Sequence, residues 1–284
     1  MIIGGNKKIV IQNIKRAVKS QELNKKVEIN DPQLSLKQEK KLLKHFLKEK
    51  NSLSFHCKNI TARFIMKIIT WYFNQQTKIS GLNNIKNVKE GAILTSNHFN
   101  PLDNTAIRKV VYKAFHSHLY IISQPTNLKM PGIIGFFMRY DDIIPIGKNL
   151  NYLGRIFPLL IKKLLKARKI ILIYPEQEMW FNYRKPRPLK RGAYYYAAKF
   201  KVPIISCFVE IKNLKKADNN EFNQVSYIVH ILKTIYPKPE KNIKENCKFM
   251  MKKDYNQKKE AYEEAYHKKL DYTFNKHDIA GWRA

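Results

Sequence analysis

Residues 170–174, IILIY, are five apolar side chains in a row, bounded by Lys169 and Pro175. A strand with one wet face alternates apolar and polar residues, so a run with no polar position needs cover on both sides. A sheet with helices on its faces provides that cover. The neighbouring stretches fit the same plan. GAILTS (91–96), DDIIPIG (141–147) and VPIISCFVEI (202–211) read as further strands. NTAIRKVVYKAF (104–115), LLIKKLLKARK (159–169) and GAYYYAAKF (192–200) read as helices between them. The first of these turns Ala106, Ile107, Val110, Val111 and Ala114 to one side, as helical periodicity requires. The expected fold is α/β, a mixed and largely parallel sheet flanked by helices over residues 80–240, with an N-terminal helical extension. No internal repeat is visible.

The extension, residues 1–79, is basic and helical. In NDPQLSLKQEKKLLKHFLKEKN (30–51), Asp31 before Pro32 reads as the cap, with Leu42, Leu43, Phe46 and Leu47 on one face. In TARFIMKIITWYFNQQ (61–76), Arg63, Lys67, Thr70 and Asn74 make one narrow polar stripe. Phe64, Ile65, Ile68, Ile69, Trp71, Tyr72 and Phe73 cover the remainder. A helix this apolar is either buried or sunk in a bilayer interface, and the pattern leaves both open. Residues 241–284 read as a basic helical tail, and the closing DIAGWRA carries no readable element.

The opening MIIGGNKKIVIQNIKRAVKS lacks the apolar core and cleavage site of a secretory leader. No run approaches the ~20 apolar residues of a spanning helix, so a membrane that matters here is one the protein lies on. Cys57, Cys207 and Cys247 are too far apart for a disulfide framework or zinc cage and read as reduced thiols of an intracellular protein. With 54 basic and 22 acidic residues the net charge is +32. Part of that excess follows from a Lys-, Asn- and Ile-rich composition. The rest draws the chain to polyanions: nucleic acid, an anionic membrane surface or an acidic protein.

The candidate chemistry lies in SNHFNPLDN (96–104), where His98 precedes Asp103 by five positions just past a strand. Glu176 follows IILIY in the same way, and ligands of open α/β sheets bind at the carboxyl ends of strands. A neutral His takes a proton from an alcohol, and a carboxylate on its other nitrogen fixes the tautomer. Pro101 supplies a rigid turn between the two. No Ser or Cys sits in a nucleophile elbow, which favours direct attack by the acceptor over a covalent acyl-enzyme. His116 and His118, in FHSH, lack nearby Cys or acidic partners and read as structural; Met250 and Met251 read as packing residues.

NHFNPLD resembles the first block of the glycerolipid acyltransferase family, the 1-acylglycerol-3-phosphate acyltransferases and their relatives. Three further blocks follow in order. PGIIGFFMRYDDIIPIGK resembles the second, a Gly-rich helix and short strand ending in a basic residue, here Lys148. YPEQEMW stands where the family shows an aromatic-Pro-Glu-Gly-Thr-Arg run, and KRGAYYYAAKFKVPIIS resembles the fourth. The resemblance covers about residues 80–210 and implies His98 as base, Asp103 as its orienter and Glu176 as a substrate-orienting carboxylate. The third block departs from the family, with Gln177, Glu178 and Met179 for Gly, Thr and Arg. The family associates that Arg with the acceptor's phosphate. Arg184, Lys185, Arg187, Lys190 and Arg191, in FNYRKPRPLKRG, are the candidates to replace it, and a fork of Arg donors holds phosphate bidentately where Lys offers a point charge.

The resemblance implies no metal or redox cofactor. It implies an acyl donor (acyl-carrier-protein, acyl-CoA or acyl-phosphate), a lysophospholipid-like acceptor and an anionic membrane surface, with the enzyme peripheral on the cytoplasmic face of the cell membrane. Two rivals follow from the same residues. A nucleic-acid-binding protein fits the charge and the aromatics, yet no recognisable module appears and the His–Asp pair is left unexplained. A degenerate relative that only binds lipid fits the altered third block.

Overall fold

The computed structural model describes residues 7–29 and 31–283. The first six residues of the stretch read for a leader, the Asn30 that opens the second helical stretch and the final Ala284 lie outside these. Seven strands form one sheet: β1 (Lys78–Ser80), β2 (Ala92–Thr95), β3 (Leu119–Ser123), β4 (Ile143–Pro145), β5 (Ile170–Ile173), β6 (Ile204–Ala217) and β7 (Asn223–Ile231). Their order is β1-β7-β6-β2-β5-β3-β4. Every pairing is parallel except β6 with β7, whose backbones run antiparallel as a long ribbon. The fold is thus a mixed, mostly parallel α/β sheet flanked by helices. β1, β3 and β7 extend the four strands legible in the sequence.

Helices α4 (Asp103–Phe115), α5 (Gly132–Tyr140), α6 (Phe157–Lys166) and α7 (Gly192–Phe200) fill the crossovers, and α8 (Ile243–Tyr266) follows the sheet. The central strand β2 is buried at every position. One core layer joins Ala106, Ile107, Val110 and Val111 of α4 to Leu94, Leu172 and Val209. The other joins Ile161 and Leu165 of α6 and Ala197 of α7 to Ile93, Ile171 and Met250. That two-sided burial is what the unbroken apolar run IILIY requires. In α5 a Cβ on Gly135 would lie 1.7 Å from the Met130 carbonyl oxygen, so only glycine lets the helix pack there.

Three helices precede the sheet. α1 (Lys7–Lys19) buries Val10, Ile11, Ile14, Ala17 and Val18 against Trp180, Phe181, Tyr183 and Phe222. α2 (Leu36–Glu49) is capped by Ser35 in a capping box with Gln38; Asp31, read as the cap, instead pairs with Lys26 at 2.7 Å. A capping box serves two orphan N–H groups at once, which a carboxylate four residues upstream of the cap does not. α3 (Leu53–Phe73) begins eight residues before the stretch read as its start. At the other end, Ile279 bridges to Tyr183 and Trp282 to Phe222, so the unassigned DIAGWRA ties the tail to the third-block loop and to β7's approach.

Candidate active site

β2 and β5 are parallel neighbours, with Thr95 beside Ile173. The chain leaving β2 therefore runs next to the chain leaving β5, and His98 and Tyr174 meet. Their rings stack at 3.9 Å between centroids and 13° between planes. His98 Nδ1 lies 2.8 Å from Asp103 Oδ2. The same oxygen accepts the backbone N–H of Phe99 at 2.9 Å and of Asn100 at 3.2 Å. The Tyr174 hydroxyl donates to Asp103 Oδ1 at 2.5 Å. Burial pushes the Tyr174 phenol well above its ordinary range, and the Asp103 charge adds to that, so the phenol keeps its proton and donates.

Donors thus converge on one carboxylate group, which in its ionised form can only accept. Nδ1 is then the ring nitrogen that donates, and in that tautomer the lone pair lies on Nε2. Asp103 is 2% exposed and the His98 side chain 21% exposed, so the carboxylate is sealed while the imidazole reaches the surface. Asn97 does not act on the imidazole. Its side chain bonds both backbone groups of Val209, with Nδ2 donating to the carbonyl at 3.0 Å and Oδ1 accepting the N–H at 2.8 Å. It extends the β2–β6 ladder one step beyond the strand.

The third-block loop wraps the histidine from behind. Trp180 N–H donates to the His98 carbonyl at 3.1 Å, and Asn182 N–H to that of Phe99 at 2.8 Å. Glu176 is buried, and both its oxygens are occupied: Oε1 accepts Arg187 N–H at 2.9 Å, and Oε2 accepts Arg187 Nη2 at 2.8 Å and Nε at 3.1 Å. A longer contact, 3.4 Å, joins Oε2 to His98 N–H. Arg187 also donates to the carbonyls of Leu23 and Glu178 and lies 4.6 Å over the Trp180 ring. Glu176 and Arg187 are brought together as one buried pair that pins the loop to the His98 backbone.

The other basic candidates separate into two kinds. Arg184 gives its donors to Ile211 and His277 carbonyls and to Asn213 Oδ1 at 2.6 Å. Lys185 is buried against Asp278 at 2.9 Å. Lys148, Lys190 and Arg191 keep exposed side chains. Lys148 follows the carboxyl end of β4 with its N–H held by Glu39 of α2 at 2.5 Å, and Lys190 is held by its own N–H on the Pro175 carbonyl at 2.8 Å. His116 takes the left-handed position that ends α4, and the half-buried His118 ring is pushed toward its neutral form by burial and nearby Arg63. Among the described residues no group of three or more His, Cys, Asp or Glu is arranged to hold a metal.

Residues 76–210 match the family model described as Acyltransferase. That span contains all four blocks in order, with His98 and Asp103 in the first, Lys148 in the second, Glu176 in the third and Lys190 and Arg191 in the fourth. It is an acyltransferase-family domain. No curated protein matches the chain. A solved structure, the 1-acyl-sn-glycerophosphate (LPA) acyltransferase PlsC from Thermotoga maritima, is similar over 74% of this chain and 83% of that one, at 17% identity and a TM-score of 0.49. Residues outside 76–210 also contact the site. Asn24, just after α1, donates to the carbonyls of Glu176 at 3.2 Å and Pro188 at 2.8 Å, and Lys25 accepts Trp180 Nε1–H at 2.9 Å. Sequence reading missed Tyr174 and Asn97 as site residues. Each had a signal, since one is the aromatic before Pro-Glu and the other the Asn before the His.

Proposed function

We propose that this acyltransferase moves a fatty acyl group from acyl-carrier-protein, acyl-CoA or acyl-phosphate to a hydroxyl of a lysophospholipid-like acceptor at the cytoplasmic face of the cell membrane. The observation that carries the reading is the His98–Asp103 pair, sealed on the Asp side by Tyr174 and two backbone N–H groups and open on the His side. With a thioester donor, Nε2 takes the hydroxyl proton as the acceptor oxygen forms its bond to the carbonyl carbon. The tetrahedral intermediate collapses, the C–S bond breaks, and the imidazolium returns the proton to the leaving thiolate. Asp103 stabilises the imidazolium between those steps. Burial pushes the Cys207 thiol up to about 12 and raises that of Cys247, which fits a mechanism without a cysteine acyl-enzyme. Lys148, Lys190 and Arg191 are the exposed charges left to meet an acceptor's phosphate.

The surface of α3 supports the membrane part. Ile60, Phe64, Ile68, Trp71 and Tyr72 are half to two-thirds exposed on one side of the helix, and Ile133 and Ile134 of the adjoining α5 are exposed too. Among the described residues no helix is long and apolar enough to cross a membrane. Withdrawing each large apolar side chain from water is worth roughly 1.5–3 kcal/mol, and each Lys or Arg beside an anionic leaflet adds about 1 kcal/mol. A face of this size plus a few lysines is enough to hold the protein on a bilayer without spanning it.

The test is acyl transfer by purified protein from labelled acyl-carrier-protein and acyl-CoA to a mixed pool of lysophospholipids, with products read by mass spectrometry. Wild type should form a product, and His98→Ala should lower its rate by about 10³-fold or more. Equal yields from both would sink the His98 mechanism. Vesicle binding without product from wild type would favour the lipid-binding relative.

A further inference from the structure

Two residues before Asn97, the β2 strand is gripped by a buried charge network that the acyl-transfer mechanism does not use. Lys258 Nζ donates to Asp254 Oδ1 at 2.5 Å and to Thr95 Oγ1 at 2.8 Å, with Ser206 Oγ at 3.5 Å. Thr95 Oγ1 in turn donates to Asp254 Oδ2 at 2.8 Å, and the Tyr194 hydroxyl donates to that same oxygen. Asp254 and Lys258 are both 0% exposed. They sit one turn apart on α8, which lies beyond the 76–210 match. Thr95 and Ser206 are register partners across β2 and β6, so the network ties four elements together at the end of the strand that delivers His98.

A buried ion pair is a poor stabiliser, because desolvation offsets its attraction and apolar replacements of similar volume are often neutral or stabilising. Its value has to be sought in geometry. Here five polar side chains meet at the last residue of β2. Asn97 then fastens the chain to Val209, and His98 follows. Any rotation of Thr95 would be carried through three peptide bonds to the imidazole, while Asp103 is held separately at the start of α4 and by Tyr174. We propose that Asp254 and Lys258 are positioning residues that act through Thr95 to hold His98 in register with Asp103. The inference rests on His98 being the base.

The variants are Thr95→Val, which removes one hydroxyl, and Asp254→Leu/Lys258→Met, which replaces the pair by apolar side chains of similar size. Three quantities are read: melting temperature, kcat and KM for the acyl transfer above, and the downfield Nδ1–H proton resonance of His98, assigned by its absence in His98→Ala. The double variant should melt within about 2 °C of wild type or above it. Both variants should lose about tenfold or more in kcat with KM within twofold, the pattern of lost transition-state alignment. In both, the His98 resonance should shift or broaden. An unmoved resonance with kcat within twofold of wild type overturns the proposal, as does a lowered melting temperature with the resonance unmoved. Should the double variant fail to fold, Thr95→Val alone decides by the same readings. Should wild type transfer no acyl group, the resonance still decides: a shift supports the positioning role while the proposed reaction falls.

Discussion

α1 and α3 are two amphipathic helices ahead of the same sheet, and they are packed in opposite senses. α1 turns Val10, Ile11, Ile14, Ala17 and Val18 into a core shared with Trp180, Phe181 and Ile279. α3 turns Asn59 and most of its polar stripe inward, with Arg63 half-buried, Thr70 and Asn74 buried and Lys67 exposed. Asn59 donates to the Tyr140 carbonyl at 2.6 Å, Arg63 makes a bidentate pair with Asp142 at 2.7 Å for both bonds, and Asn74 donates to Thr105 Oγ1 at 2.8 Å. Phe64 and Trp71 then stand 65% and 67% exposed. Water alone would drive α3 to the arrangement of α1. Polar anchors facing a protein, with aromatic and branched side chains facing away, suit a helix whose outer medium is a lipid interface. The lesson is that amphipathicity predicts two faces, and only the protein's own polar partners say which face is the inside.

Breaking α1 should have the largest effect on folding. Ile14→Glu places an unpaired charge at a fully buried position and should cost about 4 kcal/mol or more in denaturant unfolding. The α1 core backs Trp180, whose N–H holds the His98 carbonyl, so activity should fall with it. Ile60→Glu on the outer face of α3 makes the same chemical change and should stay within about 0.5 kcal/mol. Equal costs would mean that both helices bury their apolar faces in the free protein. Next comes Arg63→Met, which strands the buried Asp142 carboxylate and should cost about 3 kcal/mol, with Arg63→Met/Asp142→Asn recovering part of it. A silent Arg63→Met would show that α3 is held by its apolar contacts instead, such as Phe55 and Met66.

The sheet was legible because its interior strands carry short apolar runs: IILIY, the AIL of GAILTS and the VPII of VPIISC lie at the centre. β7 was missed because NQVSYIVHI is half-exposed on most positions and mixes polar with apolar residues, as a partner in a two-stranded ribbon can. β1 and β3 were missed for want of length or of a clear turn signal. In the site, the His98–Asp103 spacing is local, six residues that fold back over one turn, and such spacing can be read. The fate of Arg187 is not local. Its partners include Leu23, 164 residues away, and no spacing shows that a cation will be spent on Glu176 and a backbone carbonyl. Asp254 and Lys258 fail for a related reason. An i,i+4 pair in a lysine-rich helix reads as a solvated ion pair, and only the tertiary contact with Thr95 shows it to be buried. Of the inward polar positions of α3, Arg63, Thr70 and Asn74 were visible, while Asn59 and the direction of the stripe were not.

A smaller effect follows from pH at the anchor of α3. Burial raises the Asp141 carboxyl from 3.8 to about 6, opposed by Arg108 and assisted by the neighbouring Asp142 charge. The folded chain then holds this proton more tightly than the unfolded chain. The stability it contributes is complete below pH 4 and is lost as pH rises through about 6. Asp141→Asn cannot ionise. Between pH 4 and 7, wild type should therefore lose roughly 1–3 kcal/mol relative to that variant, read from denaturant midpoints. A pH-independent difference would show that Asp141 is ionised beside Arg108 in the folded state at every pH tested.

The smallest effect on folding should come from the outer face of α3 itself. Phe64→Ser/Ile68→Ser/Trp71→Ser removes apolar surface that already faces outward, so unfolding should change by about 1 kcal/mol or less in total. Flotation with vesicles containing anionic lipid is where the change should appear. Losing three large side chains at roughly 1.5–3 kcal/mol each corresponds to a fall in partitioning of at least about 10³-fold. If the variant floats as wild type does, the exposed face of α3 is not the membrane contact, and the charged surface alone carries binding. If it stays in solution yet still acylates a detergent-dispersed acceptor at the wild-type kcat, then the helix with its polar side inward delivers the site to the bilayer and the sheet performs the chemistry. The two contrasting helices would then divide the work between them, α1 bracing the loop behind His98 and α3 setting where that histidine meets its substrate.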